Sequence, residues 1–151
     1  MTSTFLVAGT MLTGLSAGLF VAFSIAVMPG LRRAGDAAFV ETMRGINAAI
    51  LNPVFAVVLV GPFVLTTVAV VLGRHDGSRG WVLAGIVLYV LGAFVVTGAV
   101  NIPLNDALGS GTGRAGTLRA AFEDRWTRWN HLRSALTTAA FTCLVVGVLE
   151  R

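Results

Sequence analysis

The chain has 151 residues, of which 56% are hydrophobic and only 12% are charged, and its formal net charge is +4. A soluble domain carries about 25% charged residues, so the composition excludes an ordinary soluble domain and favours a chain whose apolar surface faces lipid. The basic residues are all arginines that lie between apolar segments, which argues against a nucleic-acid-binding patch. The single cysteine, Cys143, excludes a disulfide or a cysteine zinc site within one chain.

Four apolar segments are long enough, or nearly long enough, to cross a bilayer as helices, which takes about 20 residues. They are predicted at about residues 5–28, 53–72, 81–100 and 130–149. The apolar part of the fourth, residues 134–149, would cover only about 24 Å, so the polar turn before it must complete the crossing. No alternating pattern suggests a β-barrel, the other structure that satisfies the backbone in lipid. The predicted fold is therefore all-α, an integral membrane four-helix bundle forming one domain.

The connections between these spans are unequal. The first, residues 29–52, predicts a short helix from Asp36 to Leu51 that Asp36 would cap. The third contains the flexible sequence G-S-G-T-G at 109–113, and the helix-forming segment after it runs without a breaker into the fourth span, which predicts a long fourth helix. Gly14 and Gly18 form a G-x-x-x-G spacing that favours close helix packing, either inside the bundle or in a homo-oligomer.

The arginines also predict the orientation in a cell membrane. The first and third connections must lie on the same side of a four-pass chain. They contain Arg32, Arg33, Arg44, Arg114, Arg119, Arg125, Arg128 and Arg133. Because cytoplasmic loops are enriched in arginine and lysine, this side is predicted to be cytoplasmic and both termini to lie outside.

Polar residues at membrane depth are costly unless they face the protein interior or a cavity. On a helical wheel the turn before the fourth span places five residues on one narrow face: Trp126, Trp129, Asn130, Arg133 and Thr137. His131 falls on a different face. Two further polar stripes lie near the same membrane side: Thr97, Asn101 and Asn105 around the helix-breaking Pro103, and Arg44 with Asn47 in the first connection.

Each of these residues has a simpler explanation. The tryptophans could form an interfacial belt, Arg133 could extend to lipid headgroups, and the asparagines could cap helices or join them. Their convergence on one membrane side still favours a site between the ends of the third and fourth spans.

Three motifs, I-N-A-A-I-L-N-P at 46–53, N-I-P-L-N-D-A-L at 101–108 and F-E-D-R-W-T-R-W-N-H-L-R at 122–133, resemble the anthrone oxygenase-like family of small four-helix membrane proteins. The resemblance implies oxidation of an anthrone to an anthraquinone by dioxygen, without an organic cofactor. It also implies that the functional residues are Asn47, Asn101, Asn105, Trp126, Trp129, Asn130, His131 and Arg133.

This interpretation assigns each residue a role. Arg133, Asn130 and Asn101 would stabilise an enolate oxygen, and His131 or Glu123 would act as the base. The predicted substrate-binding residues are Trp126, Trp129, Asn105, Asn47 and Arg44.

Two other functions stay open. One is a non-catalytic membrane protein that binds or carries a small lipophilic ligand, or serves as an accessory subunit. The other is a metal or haem protein. The only histidines, His75 and His131, are predicted on opposite membrane faces and so could not share an ion. No metal site is therefore expected, although a haem held by one histidine is not excluded.

Overall fold

The structure, a computed structural model, describes residues 2–73 and 77–150, so His75 lies outside the described residues. Within this part the chain forms five helices and no strand. Helices α1 and α4 each contain a π-helical segment between two α-helical ones. The bounds are Thr2–Ala22, Phe23–Val27 (π) and Met28–Arg32 for α1; Asp36–Ala49 for α2; Pro53–Leu72 for α3; Arg79–Tyr89, Val90–Asn101 (π) and Ile102–Ser110 for α4; and Ala115–Leu149 for α5.

Four of these helices are long and apolar enough to cross a membrane, with mean hydropathies of 2.0, 2.6, 2.3 and 1.7. They run over Ser3–Arg32, Pro53–Leu72, Arg79–Ser110 and Ala115–Leu149. The predicted all-α bundle of four long helices with a short helix in the first connection is confirmed. Helix α5 is also long, as predicted: at about 1.5 Å per residue it extends about 52 Å, more than the hydrocarbon thickness of about 30 Å.

Helices α1 and α4 continue beyond their predicted ends and pass through Pro29 and Pro103. Proline lacks an N–H group, and its ring collides with the carbonyl one turn earlier in a regular α-helix. In both helices the π-helical segment ends two residues before the proline. The wider π turn accommodates the ring, so the helix continues where the sequence predicted an end.

Helix α2 confirms the predicted short helix, but its capping by Asp36 was wrong. Gly35 is the N-cap residue and makes no side-chain cap bond, while Asp36 is the first residue of the helix. The Asp36 carboxylate instead accepts a hydrogen bond of 3.0 Å from Nη1 of Arg119. A negative charge in the first turn still suits the helix dipole.

Two arginines fix α2 and the end of α1 against α5. Arg119 donates to the carbonyls of Ala34 and Arg32 at 2.8 and 2.9 Å and to Glu123 at 2.6 Å. Glu123 also accepts a bond of 2.7 Å from Nε of Arg32. Below these ion pairs, Phe39 and Met43 of α2 are fully buried. Helix α2 is therefore held across the end of the bundle, where it helps to enclose a cavity.

The G-x-x-x-G residues of α1 face different surroundings. A Cβ atom on Gly14 would lie 2.9 Å from the ring of Phe141, so Gly14 allows α1 to approach α5. Gly18 has no such neighbour within 4 Å. Gly14 therefore serves packing inside the bundle, and a homo-oligomer remains a prediction.

Candidate functional site

A cavity of about 770 Å³ lies where the five helices meet near one end of the bundle. This is within the range of about 300–1,000 Å³ for small-molecule sites. Its lining is mainly apolar and includes residues from every helix: Leu19, Phe20, Phe23, Arg44, Ile46, Asn47, Ala48, Ile50, Leu51, Phe55, Leu59, Thr97, Ile102, Asn105, Asp106, Gly109, Ser110, Trp126 and Arg133. Five of the nine predicted site residues are among them.

Arg133 is the charged group in the deepest part of this lining. Its residue exposure is only 6%. Nε and Nη2 donate to Oδ1 of Asn130 at 3.2 and 2.6 Å, and Nη1 donates to Oγ1 of Thr97 at 3.1 Å. The guanidinium also lies 4.1 Å from the ring centroid of Phe20 and 5.5 Å from that of Trp126. The side chain is held in one position by hydrogen bonds and aromatic faces.

The charge of Arg133 is not neutralised by any carboxylate in residues 2–73 and 77–150. A guanidinium has five N–H donors, and three are used in the bonds to Asn130 and Thr97. One donor on each terminal nitrogen therefore remains for a ligand. A buried charge without a partner is costly, and an ionisable residue at membrane depth by default suggests a functional site.

Asn130 lies behind Arg133 and is fully buried. Its Oδ1 accepts the two bonds from Arg133, and its Nδ2 donates to the carbonyl of Phe20 at 3.1 Å and to Oγ of Ser24 at 2.8 Å. Because its oxygen and its nitrogen both have protein partners, Asn130 positions the guanidinium and does not itself line the cavity.

Both π-helical segments contact this pair of residues. Ser24, which bonds Asn130, lies in the π segment of α1, and Thr97, which bonds Arg133, lies in that of α4. Such π turns are often found at functional sites, because they alter the direction in which side chains point. Here they bring two hydroxyl groups from different helices to one guanidinium–amide pair.

Trp126 forms the aromatic wall of the cavity and is 3% exposed. Its ring stacks on Phe122 at a centroid distance of 5.9 Å and a 25° angle. Its Nε1 donates to Oδ1 of Asn105 at 2.9 Å. This bond fixes both the indole and the Asn105 amide, whose nitrogen has no protein partner in the described part of the chain. This bond joins the polar stripes of α4 and α5.

Arg44 and Asn47 of α2 form another part of the lining. Arg44 donates from Nε to the carbonyl of Leu108 at 2.9 Å and from Nη2 to that of Gly111 at 2.6 Å. It thereby holds α2 against the end of α4. The Nδ2 atom of Asn47 is buried and has no hydrogen-bond partner within residues 2–73 and 77–150. Asn47 thus lines the cavity with its amide nitrogen buried and unpaired, whereas Arg44 fixes the shape of the cavity.

The remaining predicted residues are not brought to the cavity. Asn101 is 1% exposed, neither of its amide atoms has a partner in the described residues, and it is absent from the lining. Trp129 is 38% exposed. His131 lies in a separate surface depression with Arg32 and Thr127. Glu123, the other candidate base, is bound by two arginines.

Most of the other lining residues were not predicted from the sequence, and three of them bear on the chemistry of the site: Phe20, Phe23 and Asp106. Phe20 and Phe23 of α1 look like ordinary membrane-facing side chains, and only the packing of α1 on α5 assigns them to the site. Asp106 directly follows Asn105 in the N-I-P-L-N-D-A-L motif, so its position in the motif was a usable signal. Within residues 2–73 and 77–150, no three His, Cys, Asp or Glu side chains come together as metal ligands would.

The comparison with known protein families supports the resemblance noted in the motifs. The model of the family described as anthrone oxygenase matches residues 4–143, which is most of the chain. No curated protein and no solved structure matches. The matched region includes all three motifs and every residue that lines the cavity. The chain belongs to the anthrone oxygenase family.

Proposed function

We propose that this protein is a membrane-embedded oxygenase that oxidises a lipophilic aromatic substrate, an anthrone or a phenol-like compound, with dioxygen inside the cavity. The observation that carries the proposal is Arg133: a buried, unneutralised guanidinium with two free N–H donors on the wall of an aromatic-lined cavity. Family membership supports the same class of reaction.

The proposed reaction converts the methylene group of an anthrone into the second carbonyl of an anthraquinone. One oxygen atom of dioxygen enters that carbonyl, and the other leaves as water with the two methylene hydrogens. Loss of a proton from the methylene places a negative charge on the existing oxygen, giving an enolate that can react with dioxygen without an organic cofactor. Donors aimed at such an oxygen are usually the largest electrostatic contribution to catalysis.

The cavity wall suits this substrate. Trp126, Phe20 and Phe23 offer flat apolar surface to a fused ring system. The free donors of Arg133 would bind the enolate oxygen. Asn130 would act indirectly, by fixing the orientation of the guanidinium.

A second candidate function is non-catalytic binding of a lipophilic ligand. The bonds from Arg133 to Asn130 and Thr97 favour it, because a guanidinium already held this well also stabilises the bundle. The two functions differ in one measurable respect, since only the oxygenase consumes dioxygen.

The test uses the purified 151-residue chain in lipid nanodiscs, with unsubstituted anthrone as substrate. Because anthrones oxidise spontaneously, protein-free nanodiscs give the background rate. An oxygenase should form one anthraquinone for each dioxygen consumed, and ¹⁸O₂ should label the new carbonyl. Tight binding of anthrone at the background rate of oxidation would instead establish the binding function.

We also propose that the arginine-rich connections face the cytoplasm and that both termini lie outside the cell membrane. In a Cys143→Ala background, Thr112→Cys places a thiol in the turn between α4 and α5. A membrane-impermeant maleimide should label this thiol in inverted vesicles and leave it unlabelled in intact cells. The reverse pattern would overturn the orientation.

A further inference from the structure

The acidic residues of the described chain differ in whether an arginine forms an ion pair with their carboxylate. Residues 2–73 and 77–150 contain six of them, and three are bound by arginines: Asp36, Glu123 and Asp124. Glu41, Asp106 and Glu150 are all exposed, and Glu41 and Glu150 lie outside the cavity. Asp106 is the acidic residue that lines the cavity, and its carboxylate has no ion pair or hydrogen bond in the described part of the chain.

The position of Asp106 is not explained by helix stability. It lies one turn before the end of α4 at Ser110. The negative end of the helix dipole is at this terminus and disfavours a carboxylate. The side-chain bond at this helix end goes to the backbone of Asp106, whose carbonyl accepts a hydrogen bond of 2.8 Å from Oγ of Ser110. The side chain is thus free to act on a molecule in the cavity.

Asp106 and Arg133 both line the cavity, at different levels along α4. Arg133 is bonded to Thr97, and Asp106 follows Thr97 by nine residues on α4. At about 1.5 Å per residue, the backbone positions of Thr97 and Asp106 are at most about 13 Å apart along the axis of α4. In an anthrone the carbonyl and the methylene are on opposite sides of the central ring. With a hydrogen bond of about 3 Å at each end, such a molecule would need donor and base about 10 Å apart.

We propose that Asp106 is the general base that removes the methylene proton of the substrate, a role that rests on the oxygenase function proposed above. The carboxylate takes the proton, and the electron pair of the C–H bond enters the enolate whose oxygen faces Arg133. The carbanion carbon then bonds to dioxygen, giving a peroxide anion. The proton on Asp106 passes to this anion, and loss of water from the hydroperoxide gives the new carbonyl and restores the carboxylate.

This assignment replaces the two bases expected from the sequence. His131 opens to a different surface, and its depression does not connect it with the cavity lining. Glu123 accepts a short bond from each of two arginines and lies outside the lining. Asp106 combines a free carboxylate with a place in the cavity, which a base must have to reach the substrate.

The test compares Asp106→Asn with wild type and with Glu41→Gln, a matched control that removes an exposed carboxylate outside the cavity. General-base catalysis contributes about 10²–10⁴ to the rate, so Asp106→Asn should lower kcat at least about 100-fold while anthrone binding is retained. Anthrone carrying deuterium at the methylene should react more slowly than protiated anthrone with wild-type protein.

Chemical rescue separates a catalytic role from a structural one. Asp106→Gly should regain activity when formate is added, because formate can occupy the place of the carboxylate, whereas a folding defect would not respond. A wild-type rate in Asp106→Asn, or no formate response in a folded, anthrone-binding Asp106→Gly, would overturn the inference and leave the oxygenase function intact. Absence of oxidation by wild-type protein would instead overturn the proposed function, and the base with it.

Discussion

Replacing Arg133 with methionine removes the buried charge and keeps much of the side-chain volume. Burying a charge costs several kcal/mol of desolvation, and the apolar side chain relieves this penalty. Against this, Oδ1 of Asn130 loses the donors it has now, which costs about 1–3 kcal/mol. The stacking on Phe20 is also lost, worth about 2 kcal/mol in a desolvated site. These contributions largely cancel.

We therefore expect Arg133→Met to change the free energy of unfolding by less than about 3 kcal/mol, the balance of the opposing contributions. Its kcat for anthrone oxidation should fall by about 10²–10³, the usual loss when an oxyanion donor is removed. Because the enolate oxygen forms only during the reaction, the dissociation constant for anthrone should change much less than kcat.

The assay follows anthraquinone formation and dioxygen consumption in nanodiscs, with the thermal unfolding midpoint measured on the same samples. Arg125→Met is the matched control, since Arg125 is exposed on the same helix. Arg133→Lys should recover only part of the activity, because an ammonium keeps the charge but not the planar fork of donors. Wild-type kcat in Arg133→Met would refute the role, and complete unfolding of that variant would show that the arginine is structural.

Three further changes test the architecture of the site. Trp126→Phe removes the donor to Asn105. Quenching of tryptophan fluorescence by bound anthraquinone should largely disappear in this variant but persist in Trp129→Phe, because Trp126 lines the cavity and Trp129 does not. Gly92→Ala puts a Cβ atom 2.9 Å from Cβ of Leu136 on α5 and should lower stability by about 1–3 kcal/mol. Gly98→Ala, whose Cβ would meet no packed neighbour within 4 Å, should leave the free energy of unfolding unchanged or raise it by up to about 1 kcal/mol. Glu123→Gln loses the charge bound by two arginines and should lower stability by about 1–3 kcal/mol; unchanged unfolding would mean that this cluster does not hold α2.

The sequence alone determined the elements of the fold. Four long apolar segments without an alternating pattern form helices in lipid, because each helix satisfies its own backbone. The helical period placed Trp126, Asn130, Arg133 and Thr137 on one face of the last helix, and all four are buried in the structure. The short fourth span needs an extra polar turn to cross the bilayer, which placed Arg133 at membrane depth. Arg133 is buried in the structure.

Tertiary structure decided which of these residues share a cavity. Trp126 and Trp129 lie on the same face of an ideal helix, but α1 covers only the former, through Phe23 at a centroid distance of 5.7 Å. The regular spacing of Thr97, Asn101 and Asn105 predicted a common face, yet Asn101 is absent from the lining. Val90–Asn101 is π-helical, and a turn with more residues changes the direction of each side chain.

The role proposed for Asp106 also depends on tertiary structure. A sequence shows that a carboxylate follows Asn105 but not whether another side chain neutralises it, because ion pairs join residues far apart in the chain. Glu123 illustrates this, since one of its arginine partners, Arg32, is 91 residues away. The periodicity of the helices determined which residues could face inward, and only the packing of five helices decided which charges remain free inside the cavity.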